Sequence, residues 1–250
     1  MNKIDSIIFE INDQIGIITL GLPPGNYLNT PGFIPLKLFE QWTSIENLKG
    51  IIIKGHGKNF SAGGNLELIF KTTNNQLARQ HLMDEGIELL NRLQDLDIPV
   101  IAAINRICFG GGLEIALACS IRVASENALL AFPEVNQNLM PGMGGTYRLP
   151  GMIGWSESAK MILGGDTVNA FTAKDLGLID YLAPKDKAFE FAFSLMKKMT
   201  SDRPLKVIKS IMKSLKNSRI LSREEAMKEE TRLFCLLATD EAERRKTEDS

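Results

Sequence analysis

At 250 residues the chain is long enough for one large domain with a sizeable core and too short for two independent catalytic domains. Hydrophobic residues at 44% and charged residues at 24% match soluble globular proteins, which excludes a disordered chain or a fibrous repeat. With 29 basic and 30 acidic side chains the formal charge is -1, so there is no general electrostatic reason to bind nucleic acid or an anionic membrane.

The opening residues Met1 to Asp5 carry no apolar signal-peptide core, and no run of about eighteen apolar residues occurs, which predicts a cytoplasmic protein. Residues 6 to 20 cluster apolar side chains around Asn12-Asp13-Gln14 and read as a pair of strands. The breaker-rich stretch from Gly21 to Asn26 fits neither helix nor strand. From Phe33 to Leu48, Ile34, Leu38, Phe39, Trp42 and Ile45 recur at helical spacing, and Ile51-Ile52-Ile53 is a short buried strand. A second helix is predicted from Asn75 to Leu96, ended by Asp97-Ile98-Pro99, and is followed by a strand over 100–104. Next come a glycine run at Gly110 to Gly112, an apolar helix over 113–118, and strands at 121–123 and 129–132. This alternation predicts an α/β core over residues 1–184. Beyond Pro184 the chain turns Lys- and Glu-rich and helical, over roughly 186–201, 204–216 and 222–245, which predicts a C-terminal helical subdomain over 185–250.

Glycine-rich sites interrupt the core at Ser61-Ala62-Gly63-Gly64-Asn65, Gly110-Gly111-Gly112 and Pro141-Gly142-Met143-Gly144-Gly145. None is a phosphate loop: before Gly57-Lys58, Ile52 replaces the leading glycine, and Asn59 stands where Ser or Thr belongs. No G-x-G-x-x-G follows a strand, which disfavours a dinucleotide fingerprint. What the second site offers is a buried strand running through glycines into an apolar helix. Its first turn presents N–H groups and the positive end of a dipole to a ligand that can approach closely. An N–H from the first glycine site at the same point would complete an oxyanion hole, worth on the order of 3 kcal/mol per donor in the transition state. Tight turns and close helix packing would use the same glycines.

Two glutamates give the glycines a chemical partner. Glu114 sits between Leu113 and Ile115 in an apolar helix, where an unpaired carboxylate is costly, and Glu134 follows the apolar strand in Phe132-Pro133-Glu134. Brought together at the glycine sites, one would gain a raised pKa and the pair could divide acid and base roles. The histidines His56 and His81 and the cysteines Cys108, Cys119 and Cys235 form no metal-ligand spacing; the histidines read as structural, and Cys108 and Cys119 as small apolar residues, with Cys108 close to the second glycine site.

In their order and spacing, the motifs Phe60-Ser61-Ala62-Gly63-Gly64-Asn65-Leu66, Ile98-Pro99-Val100, Gly110-Gly111-Gly112-Leu113-Glu114, Phe132-Pro133-Glu134 and Pro141-Gly142-Met143-Gly144-Gly145-Thr146 resemble the crotonase superfamily, the enoyl-CoA hydratases and isomerases. The similarity extends through Leu176-Gly177-Leu178-Ile179-Asp180 and covers nearly the whole chain. It implies a spiral of ββα turns with two sheets, then C-terminal helices that support a homo-trimer or a dimer of trimers. On that resemblance the amides of Gly64 and Gly111 hold a thioester carbonyl, and Glu114 and Glu134 match the two acids of the hydratases. Asn26, Leu28, Ala62, Asn65, Leu66 and Pro133 fall at substrate-binding positions, and Leu82, Met83, Leu89 and Leu90, most simply core residues, fall in a region that in this superfamily can line the acyl pocket. In the terminal helices Phe189, Phe193, Leu195, Ile208, Ile211, Leu233 and Phe234 are expected to complete neighbouring subunits.

The implied reaction is reversible syn addition of water to a 2,3-enoyl thioester, with no cofactor beyond the coenzyme A of the substrate. Asn65 and Ser120 stand where the family often has Asp, and no Phe-containing tail follows Arg245. The carrier, coenzyme A or acyl carrier protein, therefore stays open. So do a double-bond isomerase or decarboxylase using the same oxyanion hole and, in another class, a non-catalytic RNA-associated relative.

Overall fold

The computed structural model describes residues 2–4, 7–72 and 75–248. Asn2–Ile4 (β1) pairs with Ile7–Asn12 (β2), which turns back antiparallel into Ile15–Leu20 (β3). Asp13 and Gln14, both at positive φ, make the two-residue connection that a twisted hairpin favours. Ser6, the first residue of the expected pair, lies outside the described residues. The helix expected over 33–48 is shorter, Leu36–Thr43 (α1), because Pro35 stands at its N-cap. Gly50–Gly55 (β4) follows. Leu66–Thr72 (α2) has no counterpart in the sequence reading. Gln76–Gln94 (α3) starts where Asn75 accepts a hydrogen bond from the Leu77 amide at 2.8 Å.

Val100–Ile104 (β5), Ile107–Phe109 (β6), Gly111–Ala118 (α4), Ile121–Ser125 (β7) and Leu129–Ala131 (β8) come next, and a single 3₁₀ turn over Pro133–Gln137 carries Glu134. The chain continues through short helices Gly145–Arg148 (α5), Pro150–Ile153 (α6) and Trp155–Gly164 (α7), then Val168–Asn169 (β9), Ala170–Asp175 (α8) and Tyr181–Ala183 (β10). It ends in Ala188–Thr200 (α9), Leu205–Ile220 (α10) and Arg223–Glu248 (α11).

The strands form two sheets. The larger runs β1-β2-β3-β4-β5-β7-β10 and is parallel from β3 onward. Its central strands are apolar without alternation because helices cover both faces. On one face Ile51, Ile53, Ala102 and Ile104 pack in the main core with Phe39, Trp42, Leu89, Leu90 and Leu93 of α1 and α3. On the other, Ile15, Ile52, Ile101, Ala103 and Val123 pack against Ala188, Ala192 and Met196 of α9. Thus α9, the first helix of the expected C-terminal helical region, packs directly on this face of the sheet. Beyond it α10 and α11 pack antiparallel, with Lys206 paired to Asp240 and Lys213 to Glu229. Among the described residues no helix is long and apolar enough to cross a membrane.

The smaller sheet, β6-β8-β9, sets the position of the site. β6 and β8 are parallel, Phe109 lies opposite Ala131, and the Gly110 amide donates to the Ala131 carbonyl at 3.0 Å. The chain segments leaving these two strands therefore emerge side by side, one as the first turn of α4 and the other as the turn bearing Glu134. The start of α4 lies so close to the Ser61 loop that a Cβ on Gly112 would come within 2.8 Å of both Ser61 Cβ and its carbonyl oxygen. That glycine is needed for close approach, which is the packing use of the motif.

Candidate active site

The first glycine site is shaped by a buried polar clamp. The Asn26 side-chain amide donates to the carbonyls of His56, Asn59 and Phe60 at 2.9, 2.7 and 3.2 Å. The Ser61 hydroxyl donates to the Asn26 carbonyl at 2.8 Å and accepts from the Gly63 amide at 3.1 Å. Strand-like bonds from Leu28 N to Gly63 O and from Asn65 N to Leu28 O then fix the loop alongside residues 26–28. The clamp leaves the Gly64 amide facing the start of α4, where a Cβ placed on Gly111 would lie 3.6 Å from Gly64 N. Among the described residues neither the Gly64 nor the Gly111 amide donates to a protein acceptor. Two free N–H groups close together, one of them in the first turn of a helix, have the arrangement that stabilising an oxyanion requires.

Glu114 lies one turn into α4 and is 2% exposed. Its Oε1 accepts from the backbone amides of Met143 at 2.7 Å and Gly145 at 2.8 Å, so the third glycine site serves as the cradle for this carboxylate. Burial pushes its pKa up, while the Gly145 and Met143 amides and the charge of Arg148 pull it back. Glu134 approaches from the other strand end. Gly110, at φ 51°, leaves room for it, since a Cβ there would stand 2.7 Å from Glu134 Oε1. Glu134 Oε2 is buried without a protein partner. Burial raises the Glu134 pKa to about 7, with its own backbone amide opposing and the Glu114 charge adding to the rise. The two acids are therefore unequal: one is held by amides and a cation, the other is poised to carry a proton near neutrality.

Both carboxylates, both amides, Leu28 and Leu66 line one cavity of about 600 Å³. Its remaining walls are mostly apolar, from Phe70, Leu82, Met83, Leu139, Met140 and Met143, with Arg79 as a cation. Of the four residues read as core from a region that can line an acyl pocket, Leu89 and Leu90 are buried in the core, facing the sheet, while Leu82 and Met83 line the cavity. Four of the expected substrate-binding residues have protein contacts of their own. Asn26 is fully buried in the clamp, and the Ala62 amide donates to the Gly25 carbonyl. The Asn65 side chain accepts from the Leu68 amide at the start of α2, and Pro133 opens the 3₁₀ turn. None of these four lines the cavity. Among the described residues no group of three His, Cys, Asp or Glu side chains is gathered as a metal site.

Arg148 is the functional-site residue that sequence reasoning missed. Its guanidinium donates to the Met143 carbonyl at 2.8 Å, Gln94 Oε1 at 2.7 Å and Asn91 Oδ1 at 2.7 Å. The available signal was an arginine in the otherwise uncharged run from Pro141 to Ile153.

This combination of a parallel-sheet core, paired amides and two inward glutamates has a family counterpart. The enoyl-CoA hydratase/isomerase family model matches residues 10–248, and the chain belongs to that family. A Bacillus subtilis (strain 168) protein named probable enoyl-CoA hydratase is 32% identical over 233 residues, covering 92% of this chain and 89% of the relative. The 2,3-dehydroadipyl-CoA hydratase of Escherichia coli (strain K12) is 32% identical over 241 residues, covering 94% and 91%. In three dimensions the chain superposes on an enoyl-CoA hydratase structure from Thermoplasma volcanium GSS1 with a TM-score of 0.83. That match has 27% identity and covers 94% of this chain and 92% of the other.

The raised Glu134 pKa has a consequence for stability. A carboxyl that moves from 4.5 unfolded to about 7 folded binds its proton more tightly in the native state. Its contribution is complete below the unfolded value and is lost as pH rises through the folded one. Glu134→Gln stays neutral throughout, so its stability relative to the wild type should rise between about pH 5 and about pH 8 in urea denaturation. A difference that is constant with pH contradicts the assignment.

Proposed function

We propose that the protein is an enoyl-CoA hydratase whose named cavity residues add water across the C2–C3 double bond of an enoyl thioester, giving a 3-hydroxyacyl thioester. The observation that carries this reading is the meeting of two unequal carboxylates, Glu114 buried and Glu134 half-buried, with two free amides at one end of an apolar cavity. The names of the relatives from B. subtilis and E. coli support coenzyme A as the thioester carrier.

In this mechanism the Gly64 and Gly111 amides receive the thioester oxygen and stabilise the enolate-like charge that develops on it. That polarisation makes C3 electrophilic. Water held between the acids is deprotonated by Glu114 as it attacks C3, while Glu134 delivers a proton to C2. The acyl chain extends among Leu66, Phe70, Leu82, Met83, Leu139 and Met140, where apolar burial favours it. Reversal through the same groups dehydrates the product.

Replacing Glu114 by Gln keeps the shape and removes the base, so hydration should slow by about 100-fold or more while proton exchange at C2 partly survives. Glu134→Gln should impair both. Loss of enoyl-thioester absorbance reads the first rate and deuterium incorporation at C2 reads the second. Hydration that persists in both single variants sinks the mechanism. Efficient 3-enoyl to 2-enoyl conversion by Glu114→Gln, with little hydration by the wild type, identifies an isomerase instead.

The same reading includes assembly as a homo-trimer or a dimer of trimers. Ile208 and Leu233, expected at subunit contacts, are buried within the subunit, and Phe189, Phe193 and Leu195 pack beside the α9 core. Ile211 and Phe234 remain exposed, as do Tyr147, Trp155 and Leu163. Large apolar side chains in this number are suited to contacts between copies. Sedimentation equilibrium should give a trimer or hexamer mass at micromolar concentration, and a stable monomer rejects the assembly.

A further inference from the structure

We infer that Arg148 is a positioning residue for the reaction, holding Glu114 in place through Met143 and supplying the buried positive charge opposite it. This inference rests on the reading of Glu114 as the base that activates water.

Arg148 is 7% exposed, yet its three hydrogen-bonding nitrogens all go to uncharged acceptors: the Met143 carbonyl, Gln94 and Asn91. Among the described residues no carboxylate lies within ion-pair distance of it. A buried cation satisfied only by neutral dipoles keeps its field for charges further away, because little solvent is present to screen it. The acidic groups that feel it are Glu114 first, then Tyr147 and Asp95.

A mechanical link runs beside the electrostatic one. Met143 gives its amide to Glu114 Oε1 at 2.7 Å and its carbonyl to Arg148 at 2.8 Å, so this residue is pinned from both sides. The neighbouring donor to Glu114, the Gly145 amide, opens the short helix that ends at Arg148. Gly144 between them sits at φ 98°, and a Cβ there would come 2.2 Å from Arg148 Nη1. The guanidinium thus replaces a side chain at that position and braces the loop. Asn91 and Gln94 hold its far edge, and both belong to α3, the helix that presents Leu82 and Met83 to the cavity. A lysine could supply the charge but not the planar three-way bracing.

The charged groups facing Glu114 are Glu134 from the 3₁₀ turn and Arg148 from α5. α4 carries no other charge, and α3 contributes Asn91 and Gln94, with Arg79 further along the cavity wall. Removing the Arg148 charge therefore leaves only the repulsive neighbour close by. Glu114 should then hold its proton to higher pH, moving the acid limb of the hydration profile in the alkaline direction.

The test compares Arg148→Gln, Arg148→Lys and Gln94→Leu. For each, kcat and KM for a 2-enoyl thioester are measured across pH, and the Glu114 carboxyl infrared band, assigned by its loss in Glu114→Gln, is titrated in parallel. Arg148→Gln should raise the Glu114 titration midpoint by about one unit or more and lower kcat by roughly 10-fold near neutrality. Arg148→Lys should keep the midpoint near the wild type but lose kcat, and Gln94→Leu should show a milder kcat loss with little change in KM. A folded Arg148→Gln whose midpoint and kcat match the wild type overturns the inference. So does activity lost only in proportion to thermal stability with the midpoint unmoved. Should Arg148→Gln fail to fold, an unchanged kcat in Gln94→Leu overturns the bracing role and a reduced kcat in both remaining variants supports it. A shifted Glu114 midpoint in a protein that hydrates no enoyl thioester would leave the position of Arg148 intact and remove the hydratase reading instead.

Discussion

Two neighbouring carboxylates at one wall of an apolar cavity, Glu114 buried and Glu134 half-buried, are the constraint around which this protein is organised. Glu114, 2% exposed, cannot be charged there without compensation, and Glu134 beside it makes charging harder still. The compensation is supplied unequally: Glu114 receives the Met143 and Gly145 amides and the field of Arg148, whereas Glu134 keeps a buried oxygen with no protein partner. In the proposed mechanism that asymmetry divides the roles, Glu114 taking a proton from water and Glu134, its pKa raised to about 7, giving one.

The scaffold delivers these groups by strand register. The parallel pairing of Phe109 with Ala131 sets the exit points of β6 and β8 next to each other, so the first turn of α4 and the Glu134 turn face the same space. The glycines of the central run serve different needs. Gly110 makes room for Glu134, Gly111 offers its amide, and Gly112 lets α4 rest on Ser61. The Asn26 clamp does the corresponding work for Gly64, drawing three carbonyls from residues 56–60 around one buried amide.

Much of this was legible in the sequence because the signals are local. Unbroken apolar runs such as Ile51-Ile52-Ile53 and 100–104 announce strands covered on both faces, and Glu114 stands out as an acid in an apolar helix. The legible glycine sites proved to be the three segments that build the site. What stayed hidden depends on partners distant in sequence. Asn26 looks like an exposed loop residue until His56, Asn59 and Phe60 are folded around it. Arg148 looks like a surface charge until α3 brings Asn91 and Gln94 to it. The helix α9 reads with the other terminal helices because it lies beyond Pro184 and ends in Lys197 and Lys198, while the part that Ala188, Ala192 and Met196 play against the sheet shows only once the sheet is formed. The four-residue helices α5 and α6 are too short to show a period at all.

The central claim is that water held between Glu114 and Glu134 attacks C3 on the same face of the substrate on which Glu134 delivers a proton to C2. Hydration of a 2-enoyl thioester in heavy water, with the product's relative configuration at C2 and C3 read from proton coupling, tests it most directly. The account predicts deuterium at C2 on the same face as the new C3 hydroxyl, the outcome of syn addition. Deuterium on the opposite face, or scrambled between the two, would contradict it.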